Sequence, residues 1–174
     1  MKRESVTLIG MPASGKSTVG VILAKVLGYH FVDTDLVLQT IAGKRLSGII
    51  AQYGLEGFKQ IESESICSLK LPEGAPSVIA TGGSVVYSDK AMQYLRRFGP
   101  VIYLQVDYDT IESRLEDIRQ RGVVLKAGQS LRSLYEERIP LYERYADFVI
   151  CEGSNGIESV AHEASVYMES RMEP

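Results

Sequence analysis

The chain reads as an α/β protein, a parallel sheet covered by helices on both faces. Two observations predict this. Short β-type runs alternate with amphipathic helical runs along all 174 residues, the pattern of parallel strands joined by crossover helices. The first apolar run also passes into the first amphipathic run through Gly10-Met11-Pro12-Ala13-Ser14-Gly15-Lys16-Ser17, which has the spacing G-x-x-x-x-G-K-[ST] of a phosphate-cradling loop between a strand and a helix.

Taken in order, the first strand ends at Ile9. Gly10 and Gly15 permit backbone angles closed to other residues, so successive N–H groups can curl around phosphate oxygens at the positive end of the following helix. Lys16 would reach the terminal phosphates and the Ser17 hydroxyl would complete a Mg²⁺ shell. The nucleotide-binding set is thus Gly10, Met11, Pro12, Ala13, Ser14, Gly15, Lys16, Ser17 and Thr18, and the ligand is a nucleoside triphosphate. From about Ser17 to Leu27, residues Val19, Ile22, Leu23, Val26 and Leu27 recur at helical spacing. Gly28 ends that helix. Tyr29 to Val32 forms a second strand and delivers Asp33 and Asp35 at its C-terminal edge, where open α/β sheets bind ligands; the same aspartates also suit a helix cap.

Leu36 to Ala42 and Leu46 to Tyr53 read as two short helices, with Gly54 closing the second. Phe58, Ile61, Ser65, Ile66 and Leu69 mark a longer helix over 55–69. The turn-rich stretch 71–76 is too short to separate domains, so 1–174 is expected to be a single domain. Ser77 to Ala80 is a third strand ending at Gly82-Gly83, a pair that suits close backbone approach or a plain tight turn. Ser88 caps a helix running to Phe98, and Gly99-Pro100 stops it. Val101 to Val106 is the most continuous β run and reads as a doubly buried strand. Tyr108 to Asp117 follows as a helix with Ile111 and Leu115 inward. Residues 119–129 lack periodicity and carry two glycines and three basic residues, the composition of a flap. Ser130 opens a long helix with a stripe of Leu131, Leu134, Tyr135, Ile139 and Tyr142, which Pro140 is expected to kink or split. Phe148 to Cys151 is the last strand and Gly156 to Arg171 the last helix.

Composition excludes several classes. A net charge of -3 with scattered basic residues argues against a nucleic-acid surface. No apolar run approaches the roughly 20 residues of a membrane span, and the start lacks a signal pattern. A cytoplasmic protein with no membrane partner is the expectation, and so is a monomer. Cys67 and Cys151 have neither metal-site nor disulfide spacing and read as small hydrophobes; His30 and His162 read as structural.

With these residues in place the chain resembles the shikimate kinases, a branch of the nucleoside-monophosphate-kinase-like proteins. The resemblance runs from Gly10 to about Ala146. It rests on the phosphate loop, Asp33-Thr34-Asp35, Gly82-Gly83 as the start of a glycine triplet, and Glu137-Arg138-Ile139-Pro140-Leu141-Tyr142 as the family's E-R-x-P-L-Y helix. It implies a three-layer, doubly wound sandwich on a five-stranded parallel sheet of the phosphate-binding-loop kinase type. It also implies ATP as phosphate donor, Mg²⁺ as cofactor, and a small cyclic hydroxy acid as acceptor. By the same resemblance, Ser17 and Asp33 serve the metal and Asp35 orients or deprotonates the acceptor hydroxyl. Arg138 grips the acceptor carboxylate, and Gly82, Gly83 and Lys59 complete the acceptor site within a segment of about 33–62 and its neighbours. Arg121 closes over the phosphates from the lid at 119–129, and Arg114 stacks on the adenine. The catalytic set is then Lys16, Asp35 and Arg121.

Departures from the family pattern fall away from the phosphate loop. The G-E-x-x-F-R stretch appears as Gly54-Leu55-Glu56-Gly57-Phe58-Lys59, so that an acidic residue becomes Leu55 and a carboxylate-gripping arginine becomes Lys59. Lysine keeps the charge but not the planar fork. The glycine triplet ends in Ser84, which crowds the site if that position needs positive φ and otherwise adds a hydroxyl. In the lid, Arg121-Gly122-Val123-Val124 stands where the family has R-P-L-L, and glycine in place of proline loosens the flap. The leading expectation is phosphorylation of shikimate. A second reading is a kinase of the same fold for another small hydroxy acid or amino acid, such as homoserine or a sugar acid. A third, of another class, is a nucleotide-binding regulatory module without an acceptor.

Overall fold

The computed structural model describes residues 3–116, 128–153 and 156–171. Five strands, β1 (Val6–Ile9), β2 (His30–Asp33), β3 (Ser77–Ala80), β4 (Val101–Gln105) and β5 (Phe148–Cys151), form one sheet in the order β2-β3-β1-β4-β5, with every pair parallel. From β1 the chain goes to one side of the sheet to build β2 and β3, then crosses to the other to build β4 and β5. The crevice at this reversal lies at the C-terminal end of β1. The phosphate loop emerges there, between the ends of β3 and β4.

Alternation along each strand sorts the core into two layers. Val6, Leu8, Val78, Ile102, Leu104 and Ile150 meet α1 (Lys16–Leu27) and α7 (Gly156–Ser170) through Val19, Leu23, Ala161, Ala164 and Met168. Ile9, Ile79, Val101 and Tyr103 meet the other layer, built from α4 (Asp89–Arg96), α5 (Tyr108–Glu116), α6 (Leu131–Tyr145) and the end of α3 (Leu46–Cys67). The first half of α3 and α2 (Thr34–Ala42) close on a small cluster of their own around Leu38, Ile49 and Phe58. This arrangement is the expected three-layer α/β sandwich on a five-stranded parallel sheet.

Gly54 breaks the helical path where the sequence suggests, at φ 69 and ψ -177 inside α3. Pro140 does not split α6, which runs unbroken from Leu131 to Tyr145. Leu134 before the proline and Tyr142 and Tyr145 after it are all buried in one core cluster, and the Tyr142 ring stacks on Tyr103 with centroids 5.1 Å apart. Packing on both sides holds the helix through the one missing backbone donor. Of the two cysteines read as small hydrophobes, Cys67 is half-buried, whereas Cys151 is exposed and its thiol donates to Gln105 Oε1 at 3.2 Å at the end of the sheet. Among the described residues no helix is long and apolar enough to cross a membrane.

Candidate active site

The donor side is made of backbone. Gly10 has φ 151, and a Cβ there would lie 2.7 Å from the Leu104 carbonyl oxygen and 2.9 Å from Ser14 Oγ. Gly15 caps α1 from the left-handed region at φ 82, and Ala13 joins it there at φ 65, a conformation costly for a residue with a Cβ. These angles fold the loop tightly at the N-terminus of α1, with the Ser14 amide donating to the Met11 carbonyl at 3.1 Å. Lys16 is 8 % exposed, and its Nζ donates to the carbonyls of Gly10 at 2.9 Å and Met11 at 2.7 Å and to Ser14 Oγ at 3.3 Å. Burial pulls its pKa down to about 8, with Asp35 and Asp33 acting in the opposite direction, so the ammonium is charged at neutral pH. Ser17 Oγ donates to Asp33 Oδ2 at 2.7 Å.

The aspartate segment divides its work among three neighbours. Asp33 caps α2 by accepting from the Asp35 amide at 2.9 Å, so capping and proximity to Ser17 are two uses of one carboxylate. Thr34 Oγ1 accepts from the Gly82 amide at 3.3 Å. Asp35 turns toward the cavity. Burial and the nearby Asp33 raise its pKa, partly offset by Lys16.

A cavity of about 390 Å³ opens on the phosphate loop, lined by Lys16, Asp35, Lys59, Glu62, the Gly82-Gly83 pair and Arg138, with an apolar wall of Leu46, Ile50, Leu55 and Phe58. The glycine pair is needed for close approach. A Cβ on Gly82 would sit 2.4 Å from Glu62 Oε1 and 2.8 Å from Asp35 Oδ1, and one on Gly83 would sit 2.8 Å from Pro12 Cδ and 3.1 Å from Arg138 Nη1. Tyr142 on α6 fixes the pair by donating to the Gly83 carbonyl at 2.6 Å. Arg138 is 7 % exposed on the same helix. Lys59 pairs with Glu56 at 2.9 Å, and its Nζ lies 4.4 Å from the centroid of the Tyr87 ring. Ser84 has φ -94, so this third position asks nothing of a glycine, and its Oγ donates to Glu62 Oε2 at 2.6 Å.

Glu62 is the residue that reading the sequence missed. It is 4 % exposed, and its Oε1 has no hydrogen-bond partner among the described residues. Burial, reinforced by Asp35, raises its pKa to about 7, with Ser84, Arg138 and Lys59 pulling the other way. A signal existed: Glu62 stands four residues from both Phe58 and Ile66, so a carboxylate interrupts the apolar stripe of α3. Arg114 makes a two-pronged ion pair with Glu152 at 2.7 and 2.8 Å and donates to the Ala13 carbonyl of the phosphate loop at 3.2 Å, while Glu112 takes the Tyr108 hydroxyl. Arg121 and Gly122 lie outside the described residues, as does most of the expected flap at 119–129. Among the described residues no three His, Cys, Asp or Glu side chains gather to hold a metal.

A family model described as shikimate kinase matches residues 12–169. A shikimate kinase of Thermodesulfovibrio yellowstonii is 37% identical over 149 residues, 84% of each chain. A second, from Trichormus variabilis, is 40% identical over 149 residues, 83% of this chain and 78% of the other. The structure of a shikimate kinase from Acinetobacter baumannii in complex with shikimate superposes with a TM-score of 0.83 at 28% identity, covering 97% of this chain and 94% of the other.

Proposed function

The chain belongs to the shikimate kinase family, and on that premise we propose that it transfers the terminal phosphoryl group of ATP to one hydroxyl of shikimate. One observation carries the reading. The cavity that opens on Lys16 brings two carboxylates, Asp35 and Glu62, against the Gly82 backbone, and sets Arg138 against Gly83 with Lys59 in the same lining. Such a pocket matches an acceptor with several hydroxyls and one carboxylate, and the wall of Leu46, Ile50, Leu55 and Phe58 matches a carbon ring.

Phosphoryl transfer asks the protein mainly for positioning and charge stabilisation. The loop amides and Lys16 would hold the donor phosphates. Asp35, made more basic by burial and by Asp33, would accept the hydrogen bond of the reacting hydroxyl and take its proton as the new P–O bond forms. Arg138 and Lys59 would bind the carboxylate, Arg138 through its planar fork and Lys59 as a point charge. Gly82, Gly83 and Glu62 would complete the acceptor contacts. Ser17 and Asp33 offer the hydroxyl and carboxylate oxygens that Mg²⁺ takes, and a small protein share suits an ion that fills its shell with water and phosphate oxygens. When bound, that ion would offset phosphate charge. Arg114 would border the adenine, Arg121 would close over the phosphates, and a monomer would be the working unit.

The test is ADP release measured with shikimate, homoserine and gluconate as acceptors. Saturable turnover above the acceptor-free background is expected with shikimate. Turnover with another acceptor and none with shikimate overturns the acceptor assignment, and a rate that no acceptor changes favours a nucleotide-binding module.

A further inference from the structure

Tyr87 carries no motif and lies at the end of the 3-10 turn Val85–Tyr87 that follows Ser84. Both cations of the acceptor cavity come to its ring. Lys59 Nζ from α3 lies 4.4 Å from the ring centroid and Arg138 Cζ from α6 lies 5.3 Å from it. The Tyr87 hydroxyl accepts from Arg138 Nε at 3.3 Å and donates to Glu137 Oε1 at 2.7 Å. We propose that Tyr87 is a positioning residue for the acceptor carboxylate: its ring holds Lys59 and Arg138 side by side, so that a lysine serves where a second planar fork is missing. This rests on the reading of Lys59 and Arg138 as the carboxylate clamp.

Two like charges converging on one cavity repel, and a lysine on a four-carbon stem has no preferred direction for its ammonium. A carboxylate partner steadies an ammonium but neutralises it, and Glu56 sits with its side chain 80% exposed, where an ion pair constrains weakly. An aromatic face attracts the cation without neutralising it and leaves its N–H groups free for a ligand. For Arg138 the division is sharper. Tyr87 takes Nε, and Nη1 lies at the cavity lining, 3.1 Å from the position of a Gly83 Cβ.

The experiment compares wild type, Y87F and Y87L for the KM of shikimate, the KM of ATP, kcat, and the Ki of shikimate carboxamide, which keeps the ring and hydroxyls but lacks the charge. Y87L is expected to raise the shikimate KM about tenfold, leaving kcat and the ATP KM within about twofold and the carboxamide Ki unmoved. Y87F keeps the ring over Lys59 and frees Arg138 Nε, and is expected to raise the shikimate KM about threefold with the same selectivity. An equal rise for acid and amide in either variant, or no rise in either, overturns the proposal. Wild type that binds acid and amide equally well overturns the clamp reading and this proposal with it, whereas wild type that discriminates while both variants keep full discrimination overturns the proposal alone. A melting curve identifies any variant that does not fold; should that be Y87L, the Y87F arm decides on its own.

Discussion

The donor and acceptor halves of the cavity are built by different means. On the donor side one contiguous segment, Gly10 to Ser17, makes the site mostly from main chain, and Lys16 is anchored within that same loop through the Gly10 and Met11 carbonyls. The acceptor side is assembled from side chains on α2, α3, the end of β3 and α6, converging on Gly82 and Gly83. A site made of backbone tolerates few alternatives and keeps its spelling. One made of side chains from four places can exchange them in groups. Ser84 stands where the family pattern has glycine and bonds Glu62, and Lys59 stands where it has arginine and rests on Tyr87.

The largest effects should separate the two halves outright. Lys16→Ala is expected to cut transfer by about 10²–10³-fold and to weaken nucleotide binding, because it removes preorganised positive charge from the phosphates. Asp35→Asn should cut transfer by about 10²–10⁴-fold, the range for a positioned acid–base group, with ATP affinity unchanged. Nucleotide titration beside single-turnover transfer checks both. Near-full turnover by a folded Asp35→Asn protein would remove that carboxylate from the chemistry and leave the contrast without its acceptor-side anchor.

A smaller change tests whether the glycine pair is the joint between the halves. Gly82→Ala puts a methyl group 2.4 Å from Glu62 Oε1 and 2.8 Å from Asp35 Oδ1, so both carboxylates must shift. A displacement of this kind costs about 10²-fold in turnover. The expected outcome is that loss in kcat/KM for the acceptor with the nucleotide Kd preserved. If Gly82→Ala weakened nucleotide as much as acceptor, the two halves would be one mechanical unit.

The same contrast explains what was legible in the sequence. Alternating runs give the five strands and their covering helices because burial on a sheet imposes its period on the chain, and the phosphate loop is legible because its geometry is local. Gly54 could be read as a break because a left-handed backbone selects glycine. Contacts between distant segments left weaker traces. Arg114 and Glu152 meet across 38 positions, and nothing in either neighbourhood marks the pair. Tyr87 looks like any half-buried aromatic until α3 and α6 are brought to its face. Glu62 was legible in principle as a charge on an apolar stripe, but only the fold gives it neighbours that make the burial meaningful. Pro140 shows propensity yielding to packing, since the core on both sides of it outweighs one lost backbone bond.

The smallest effects lie in stability and bear on what the acceptor side stores. The buried Glu62 carboxyl titrates at about 7 against an ordinary value of 4.5. Between those values the folded protein keeps a proton that the unfolded chain has released. The contribution of Glu62 is therefore fully present below about pH 4.5 and is lost as pH rises through 7. Glu62→Gln removes this dependence, so urea unfolding should find the variant and wild type equal near pH 4 and the variant more stable near pH 8, by about 3 kcal/mol. A variant no more stable at pH 8 would mean that the carboxylate is solvated or paired well enough to cost nothing. Ser84→Ala refines the point. Its hydroxyl donates to Glu62 Oε2 at 2.6 Å and lowers the pKa of that group, so its loss should move the titration upward and destabilise by about 1–2 kcal/mol at pH 8 and by less at pH 5. An equal loss at both pH values would show Ser84 acting through packing alone, and the serine would then have no part in holding the second carboxylate of the cavity.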